Sequence, residues 1–312
     1  MKEMYSVIDV ETPKGIVQYR EENYTGCRCR ISTDRSKRHV LQPIIIHEDT
    51  GDCPFCPERV YSVTPLFPDG RRIIHNESIT FPNMFPFGQG HVVTVITKAH
   101  RVEIFSRQLI ADALSGQIEA LMKYDGYPSI NMNFLPSAGA SMIHPHMQGL
   151  SDVRPSLIME RYLQAGQKYK EHSNRNYWEV LVDKEKDSGR YMFGDEIVWS
   201  AHAVPCGERE IRGILPISAL RETDSYIDLM AEGILEVLAF YRSMGTYAFN
   251  MSIFFDKDGS NNGFHAFCSI ISRINPNPAS MSDSAFMERM HYEPVIMTLP
   301  EEMGELYRNQ KK

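Results

Sequence analysis

At 312 residues the chain is long enough for one large core or two medium domains, and 42% hydrophobic with 23% charged residues is a globular composition. A formal charge of −7 argues against a nucleic-acid surface, which needs clustered Lys and Arg, but not against a small nucleotide, which needs only a few local donors. No apolar run approaches the roughly 18 residues of a membrane span, and the opening MKEMYSVIDVETPKG carries acids where a signal peptide has its apolar core, so a cytoplasmic protein with reduced thiols is expected.

Short β-rich runs recur along the chain: VLQPIII (40–46), HVVTVIT (91–97), SINMNFL (129–135), EIVWSAHAV (196–204), GILPI (213–217), YAFNMSIFF (247–255) and FHAFCSII (264–271). Several alternate apolar and polar residues, as half-buried antiparallel strands do. Helical spacing predicts helices over 106–124 and 222–244; in the first, Leu109, Ile110, Ala113, Leu114, Ile118 and Leu121 share a face. The order strands, long helix, strands occupies roughly 40–150 and returns at roughly 195–272. The polar stretch from about 160 to 195 reads as an exposed connection or a partly helical linker. The expected architecture is α+β in two halves of similar plan, residues 1–155 and 156–312, each an antiparallel sheet with packed helices.

Cys53-Pro-Phe-Cys56 has the spacing of a zinc knuckle, in which two thiolates bind one metal from one tight turn. Two sets of residues can complete the site: Cys27 with Cys29, or His100 with His144. The histidine set is preferred because of the segment Ser141-Met-Ile-His144-Pro-His146-Met-Gln148. In extended backbone, residues two apart share a face, so His144, His146 and Gln148 project together. Pro145 suits a strand end, and Gly139-Ala140 lets the chain turn sharply. A neutral imidazole at His146 can attack an α-phosphorus and keep the high-energy bond on the enzyme as a nucleotidyl-histidine. For that, its other nitrogen must hold its proton in a hydrogen bond, with the neighbouring main chain as acceptor. Gln148 and Ser141 can donate to phosphate oxygens. A zinc-bound His144 locks the strand, a positional role for a single metal ion. His202 is read as structural, Cys206 and Cys268 as core thiols, and His265 as a core residue.

These residues resemble a known family. HPHMQ (144–148) is similar to the HPHxQ motif of the galactose-1-phosphate uridylyltransferases, a branch of the histidine-triad superfamily. The resemblance implies that Cys53, Cys56, His100 and His144 are the zinc ligands. It implies further that Arg35-Ser-Lys-Arg38 matches a phosphate-binding RxKR, that Asn83 opens the nucleoside loop, and that Asn133 is a phosphate-site asparagine. It covers roughly residues 28–155 with specific motifs and 195–293 more loosely. It also implies two histidine-triad-like halves and a homodimer with active sites near the subunit interface. Three departures matter. Gly263-Phe-His265-Ala-Phe267 keeps one histidine of a second metal segment, so a second metal is not expected. The hexose-binding segment retains Tyr292 and Glu293 but lacks its Lys and Gly. Met84 replaces an aspartate. The expected activity is nucleotidyl transfer between a nucleotide-sugar and a sugar 1-phosphate. Two alternatives are a phosphorylase of ADP-sugars or dinucleoside polyphosphates with inorganic phosphate as acceptor, and a zinc-stabilised nucleotide-binding protein without turnover.

Overall fold

The computed structural model describes residues 3–13, 15–38, 53–273, 284 and 286–311. The predicted strand at 40–46 lies outside them. The chain opens with the hairpin β1 (Tyr5–Thr12) and β2 (Gly15–Glu22) and then β3 (Arg28–Ile31). After α1 (Pro57–Val63) come β4 (Ile73–His75), β5 (Ser78–Pro82), β6 (Gly90–Val95), α2 (Arg107–Leu121), β7 (Tyr127–Phe134) and β8 (His146–Asp152). Two helices follow, α3 (Leu157–Ser173) and α4 (Tyr177–Lys186), then β9 (Tyr191–Phe193), β10 (Val198–Ala201), β11 (Ile211–Ile214), α5 (Ile227–Ser243), β12 (Phe249–Phe254), β13 (Phe267–Ser272), β14 (Val295–Ile296) and α6 (Pro300–Gln310). None of the described helices is long and apolar enough to cross a membrane.

Ten strands form one sheet in the order β4-β5-β6-β8-β7-β12-β13-β11-β10-β9, and every pairing in it is antiparallel. Read outward from the centre, β7-β8-β6-β5-β4 and β12-β13-β11-β10-β9 are the same topology twice, with α2 and α5 as matching connections. The central strands pair like with like: Phe134 with Phe249, Asn133 with Asn250, Met132 with Met251, Ile130 with Ile253. Because side chains alternate across a sheet, the apolar members of these pairs share one face. They are buried there against α2 and α5, whose residues Ile110, Leu114, Ile118, Ile234, Val237 and Leu238 belong to the same core. The asparagines share the other face.

That other face is covered differently in the two halves. In the second half, α3 and α4 pack Tyr162, Tyr169, Tyr177 and Trp178 against Ile214 and Phe267. This corrects the reading of 160–195 as an exposed connection. Met159, Tyr162, Ala165 and Tyr169 give α3 a narrow apolar stripe, and the many Lys, Glu and Gln on its remaining surface hide it from a compositional reading. The small sheet β1-β2-β3-β14 also lies on the second half, with β3 parallel to β14 and Cys29 and Ile31 packed on Ala203, Val204 and Ile296. β8 ends at Asp152 and α3 begins at Leu157, where the boundary between the halves was expected.

Candidate active site

In the first half the polar face carries the predicted constellation. Cys53 and Cys56 bracket the turn before α1, His100 follows the β6 strand, and His144 immediately precedes β8. Their donor atoms lie within 4.8 Å of one another. The Cys56 Sγ–His100 Nδ1 separation is 3.3 Å, and His144 Nδ1 is 3.7 Å from each sulfur. A tetrahedral zinc with bonds of about 2.3 Å to sulfur and 2.0 Å to nitrogen sets S···N edges of roughly 3.5 Å, so the four donors fit that ion. His144 Nε2 lies 2.8 Å from the Thr97 carbonyl. A carbonyl only accepts, so the proton is on Nε2 and Nδ1 is left to ligate, the usual second contact of a ligating histidine. Among the described residues this is the one group of its kind. Cys29 is instead buried in the core between the small sheet and the second half, and Cys27 lies 3.7 Å from Arg161. The histidine set is thus the one the fold assembles. Cys206, expected in the core, is exposed in the turn between β10 and β11.

His146 opens β8, paired with Val95 of β6. Pro145, lacking an amide, accepts from Ile96 through its carbonyl and starts the strand. The His146 Nδ1 atom lies 2.9 Å from the His144 carbonyl, which fixes the proton on Nδ1 and leaves a lone pair on Nε2. Burial holds its pKa below the ordinary histidine value, against the opposing effect of that bond. The ring of Phe55, inside the Cys53–Cys56 turn, lies 5.3 Å from the His146 ring, so that turn also packs on His146.

Gln148 shares the face of His146, and its Oε1 lies 3.1 Å from His91 Nε2. The same His91 nitrogen lies 2.9 Å from Asn83 Nδ2, and the Asn83 amide bonds back to the His91 carbonyl. Burial also lowers the His91 pKa, with the Gln148 bond opposing it. His91 was missed in the sequence. It heads the run HVVTV, two and four residues before Val93 and Val95 on the same face, and a lone histidine opening an apolar strand carries little signal. Phe85 and Phe87, after Asn83, are exposed, and the Phe87 ring lies 4.2 Å from that of His91.

The other expected site residues are distributed as follows. Asn133 is on β7 and accepts at Oδ1 from Asn250. Ser141 is exposed in the loop before His144. Arg35 and Arg38 belong to the 3-10 turn Thr33–Arg38, and their side chains lie outside the described residues. Tyr292 is exposed in left-handed backbone at φ 56°, and the Glu293 carboxylate is held by Arg30 at 3.1 and 3.2 Å. Among the described residues no hydrogen bond joins either of them to the His146 cluster.

The duplicated register identifies what stands at these positions in the second half. Val95 faces His146 in the first half, and Ile214 faces Phe267 in the second. The Ile96 amide bonds to the Pro145 carbonyl, and the Leu215 amide to that of Ala266. Phe267 therefore occupies the place of His146, Ser269 that of Gln148, Glu210 that of His91 and His202 that of Asn83, whose backbone bonds match too. Phe267 is buried among the aromatic rings of α3 and α4. Glu210, Ser269 and His202 join a buried ionic cluster with Arg212 and Glu22. His265 stacks on Trp178, parallel to within 7° and 6.3 Å away.

No family model matches the chain. A protein of Archaeoglobus fulgidus described only as uncharacterized is 28% identical over 267 residues, 82% of this chain and 80% of its own length. Among solved structures, an ADP-glucose phosphorylase of Arabidopsis thaliana with bound ADP-glucose superposes with a TM-score of 0.76 at 16% identity, over 94% of this chain and 98% of its own. A galt-like protein of Arabidopsis thaliana gives 0.74 at 16% identity, over 93% of this chain and 98% of its own. A structure described as uridylyltransferase gives 0.70 at 18%, over 94% and 98%. The chain thus has, over nearly its whole length, the fold of these structures: an α+β protein of two histidine-triad-like halves joined edge to edge in one sheet.

Proposed function

We propose that the protein is a nucleotidyltransferase that carries a nucleoside monophosphate on His146. The observation that carries this reading is the His146 Nδ1 bond to the His144 carbonyl, which leaves an unprotonated nucleophilic nitrogen at the head of a strand pinned by a metal-binding cluster. His146 Nε2 attacks the α-phosphorus of a nucleotide-sugar. The bond to the bridging oxygen breaks, and the sugar 1-phosphate leaves with its electron pair. In the second step an acceptor phosphate oxygen attacks the same phosphorus, and Nε2 departs with the electrons of the P–N bond. The His144 carbonyl holds the Nδ1 proton throughout and so stabilises the positive charge that builds on the ring.

Gln148, Ser141 and Asn133 donate to the non-bridging oxygens, and Arg35 and Arg38 supply countercharge. Asn83, with Phe87 beside His91, forms the nucleoside end. Tyr292 and Glu293 serve the acceptor, and two chains assemble as a dimer in the cytoplasm. Cys53, Cys56, His100 and His144 hold one zinc ion, which fixes the nucleophile's strand and supplies no Lewis-acid chemistry in this reading.

A second acceptor is inorganic phosphate, making the protein a phosphorylase of ADP-sugars or dinucleoside polyphosphates. One observation favours it: Glu293, half of the retained hexose-binding pair, is engaged by Arg30 within the chain. The test is intact-mass spectrometry at mild pH after mixing with UDP-glucose or ADP-glucose. A gain of one nucleoside monophosphate, absent in His146→Ala, is expected. An unmodified wild-type protein, or an equally labelled variant, rejects the mechanism. Adding galactose 1-phosphate or inorganic phosphate to the labelled protein then separates the acceptors by whether a nucleotide-sugar or a nucleoside diphosphate is released.

A further inference from the structure

The residues around His146 come from the first half, yet one of them is held by the second. Asn133 on β7 lies in register with Asn250 on β12 across the junction of the halves. Asn250 Nδ2 donates to Asn133 Oδ1 at 2.7 Å and to the Ala138 carbonyl at 2.8 Å, while Arg273 Nη1 donates to Asn250 Oδ1 at 2.7 Å. The polarity of this chain is fixed at both ends. A guanidinium only donates and a backbone carbonyl only accepts, so the Asn250 amide has one possible orientation. Its nitrogen faces Asn133, so Asn133 must accept with Oδ1, and the Asn133 nitrogen is the end of that amide not used in the bond to β12. Gln148 of β8 is the register partner of Asn131, so two residues further on, Asn133 stands beside the His146 end of that strand. Among the described residues the Asn133 nitrogen has no hydrogen-bond acceptor.

The second arm reaches the loop leading to His144. Leu135 and Gly139 both adopt positive φ, 72° and 80°, around the short 3-10 turn Pro136–Ala138. For Leu135 this is sparsely populated backbone, which persists only where its surroundings hold it. The bond from Asn250 to the Ala138 carbonyl ties that turn to the neighbouring half.

We infer that Asn250, oriented by Arg273, is a positioning residue of the transfer site: it points the donor end of the Asn133 amide at the transferred phosphate and fixes the turn that delivers Ser141 and His144. This rests on the proposed transfer through His146 and extends it, because it makes the catalytically silent half necessary to the active one.

The experiment is single-turnover labelling of His146 with UDP-glucose or ADP-glucose, whichever labels the wild-type protein. Asn250→Asp replaces the donor by an acceptor, so the Asn133 amide must reverse and present its oxygen to the phosphate. Removing one preorganised donor costs about 100-fold in rate. A loss of that order is expected, with the half-saturating donor concentration changed less than about 3-fold, a split that a general loosening of the fold does not produce. Adding Asn250→Asp to Asn133→Ala should slow labelling by less than about 3-fold more, since the two act through one amide. Arg273→Met, which leaves only the Ala138 carbonyl to orient the Asn250 amide, should give a smaller loss with the same split, and it serves as the readout if Asn250→Asp does not fold. Wild-type labelling rates in Asn250→Asp or, failing that, in Arg273→Met overturn the inference. So do fully multiplicative effects with Asn133→Ala. If the wild-type protein takes no label from either donor, the transfer reading itself fails and this inference with it, a result told apart by needing no variant.

Discussion

Arg212→Met tests whether the second half's counterpart of the Asn83–His91–Gln148 cluster is a sealed structural plug. Arg212 is 4% exposed and sits between two buried carboxylates: its Nη2 is 2.8 Å from Glu210 Oε1, and its Nη1 is 4.0 Å from Glu22 Oε1. Glu210 also accepts from Ser269 Oγ at 2.7 Å and the Cys206 amide at 2.7 Å, and Glu22 accepts from Thr25 and Tyr162 and faces His202 at 2.9 Å. Burial by itself raises the Glu210 pKa, but the charges of Arg212 and His202 outweigh it and bring the group from its ordinary 4.5 to about 2. That depression is worth roughly 3 kcal/mol of stability at neutral pH. It agrees with the roughly 3–5 kcal/mol expected when one partner of a buried ion pair is removed. Urea unfolding of Arg212→Met at pH 7 should therefore show a loss of about 3–5 kcal/mol. The acid dependence follows from the direction of the shifts. Glu210 and Glu22 both have lowered folded-state values, so the unfolded chain takes up protons first; their contribution is present above the ordinary carboxylate range and is lost as pH falls, that of Glu210 toward about pH 2. Without Arg212 the carboxylates lose their main countercharge, and the gap between the two proteins should narrow below pH 4.5. A loss under 1 kcal/mol, or a gap that stays constant down to pH 3, would refute the reasoning. Labelling of His146 per folded molecule should be unchanged.

Three further outcomes are expected. One zinc per chain, measured by plasma mass spectrometry, should persist in Cys27→Ala/Cys29→Ala and fall well below one in Cys56→Ala; the reverse pattern would return the metal to the N-terminal cysteines. Gly149→Ala should lose about 1–3 kcal/mol in thermal or urea unfolding, because an added Cβ would lie 2.2 Å from Gln117 Oε1 and 2.8 Å from Val92 Cγ2, and an unchanged stability would show that this contact yields freely. His91→Ala should weaken nucleotide binding by about 10-fold, the loss of roughly one hydrogen-bonding link to Gln148 and Asn83, while leaving His146 able to accept the label; isothermal titration with a nucleoside monophosphate reads the first effect and mass spectrometry the second.

The metal cluster was legible because its chemistry is local: Cys53 and Cys56 share one turn, and the alternation of His144, His146 and Gln148 on an extended strand needs no tertiary knowledge. Six of the β-rich runs overlap β6, β7, β10, β11, β12 and β13 for the same reason, while the run at 40–46 lies outside the described residues. What could not be read depends on partners distant in sequence. Glu22, Glu210 and Arg212 are charged residues in short strands, which a sequence reading assigns to the surface, and they are buried because β2, β11 and α3 converge. The β1–β2 hairpin exposes Val7, Ile8, Val10 and Ile16, so its pattern marks no core face. The role of Asn250 was hidden in a strand read for its apolar residues, because the register with β7 gives it its meaning.

The two halves differ in what stands over the same register of one duplicated sheet. Both place a cluster of polar side chains at the same register on the same face: Asn83, His91 and Gln148 in one, His202, Glu210 and Ser269 in the other. In the first half, among the described residues, the Phe55 turn and the exposed Phe85–Phe87 loop lie beside them. In the second, the Glu22 carboxylate from β2 and the Tyr162 hydroxyl from α3 enter the same depression, and Phe267 fills the place of His146. A phosphate would there meet two carboxylates already satisfied by Arg212 and His202, and could displace them only by leaving buried charges unpaired. The second half thus fills this register with paired charges and aromatic rings. The β7–β12 junction, with Asn133 facing Asn250, is where that half meets the one that carries His146.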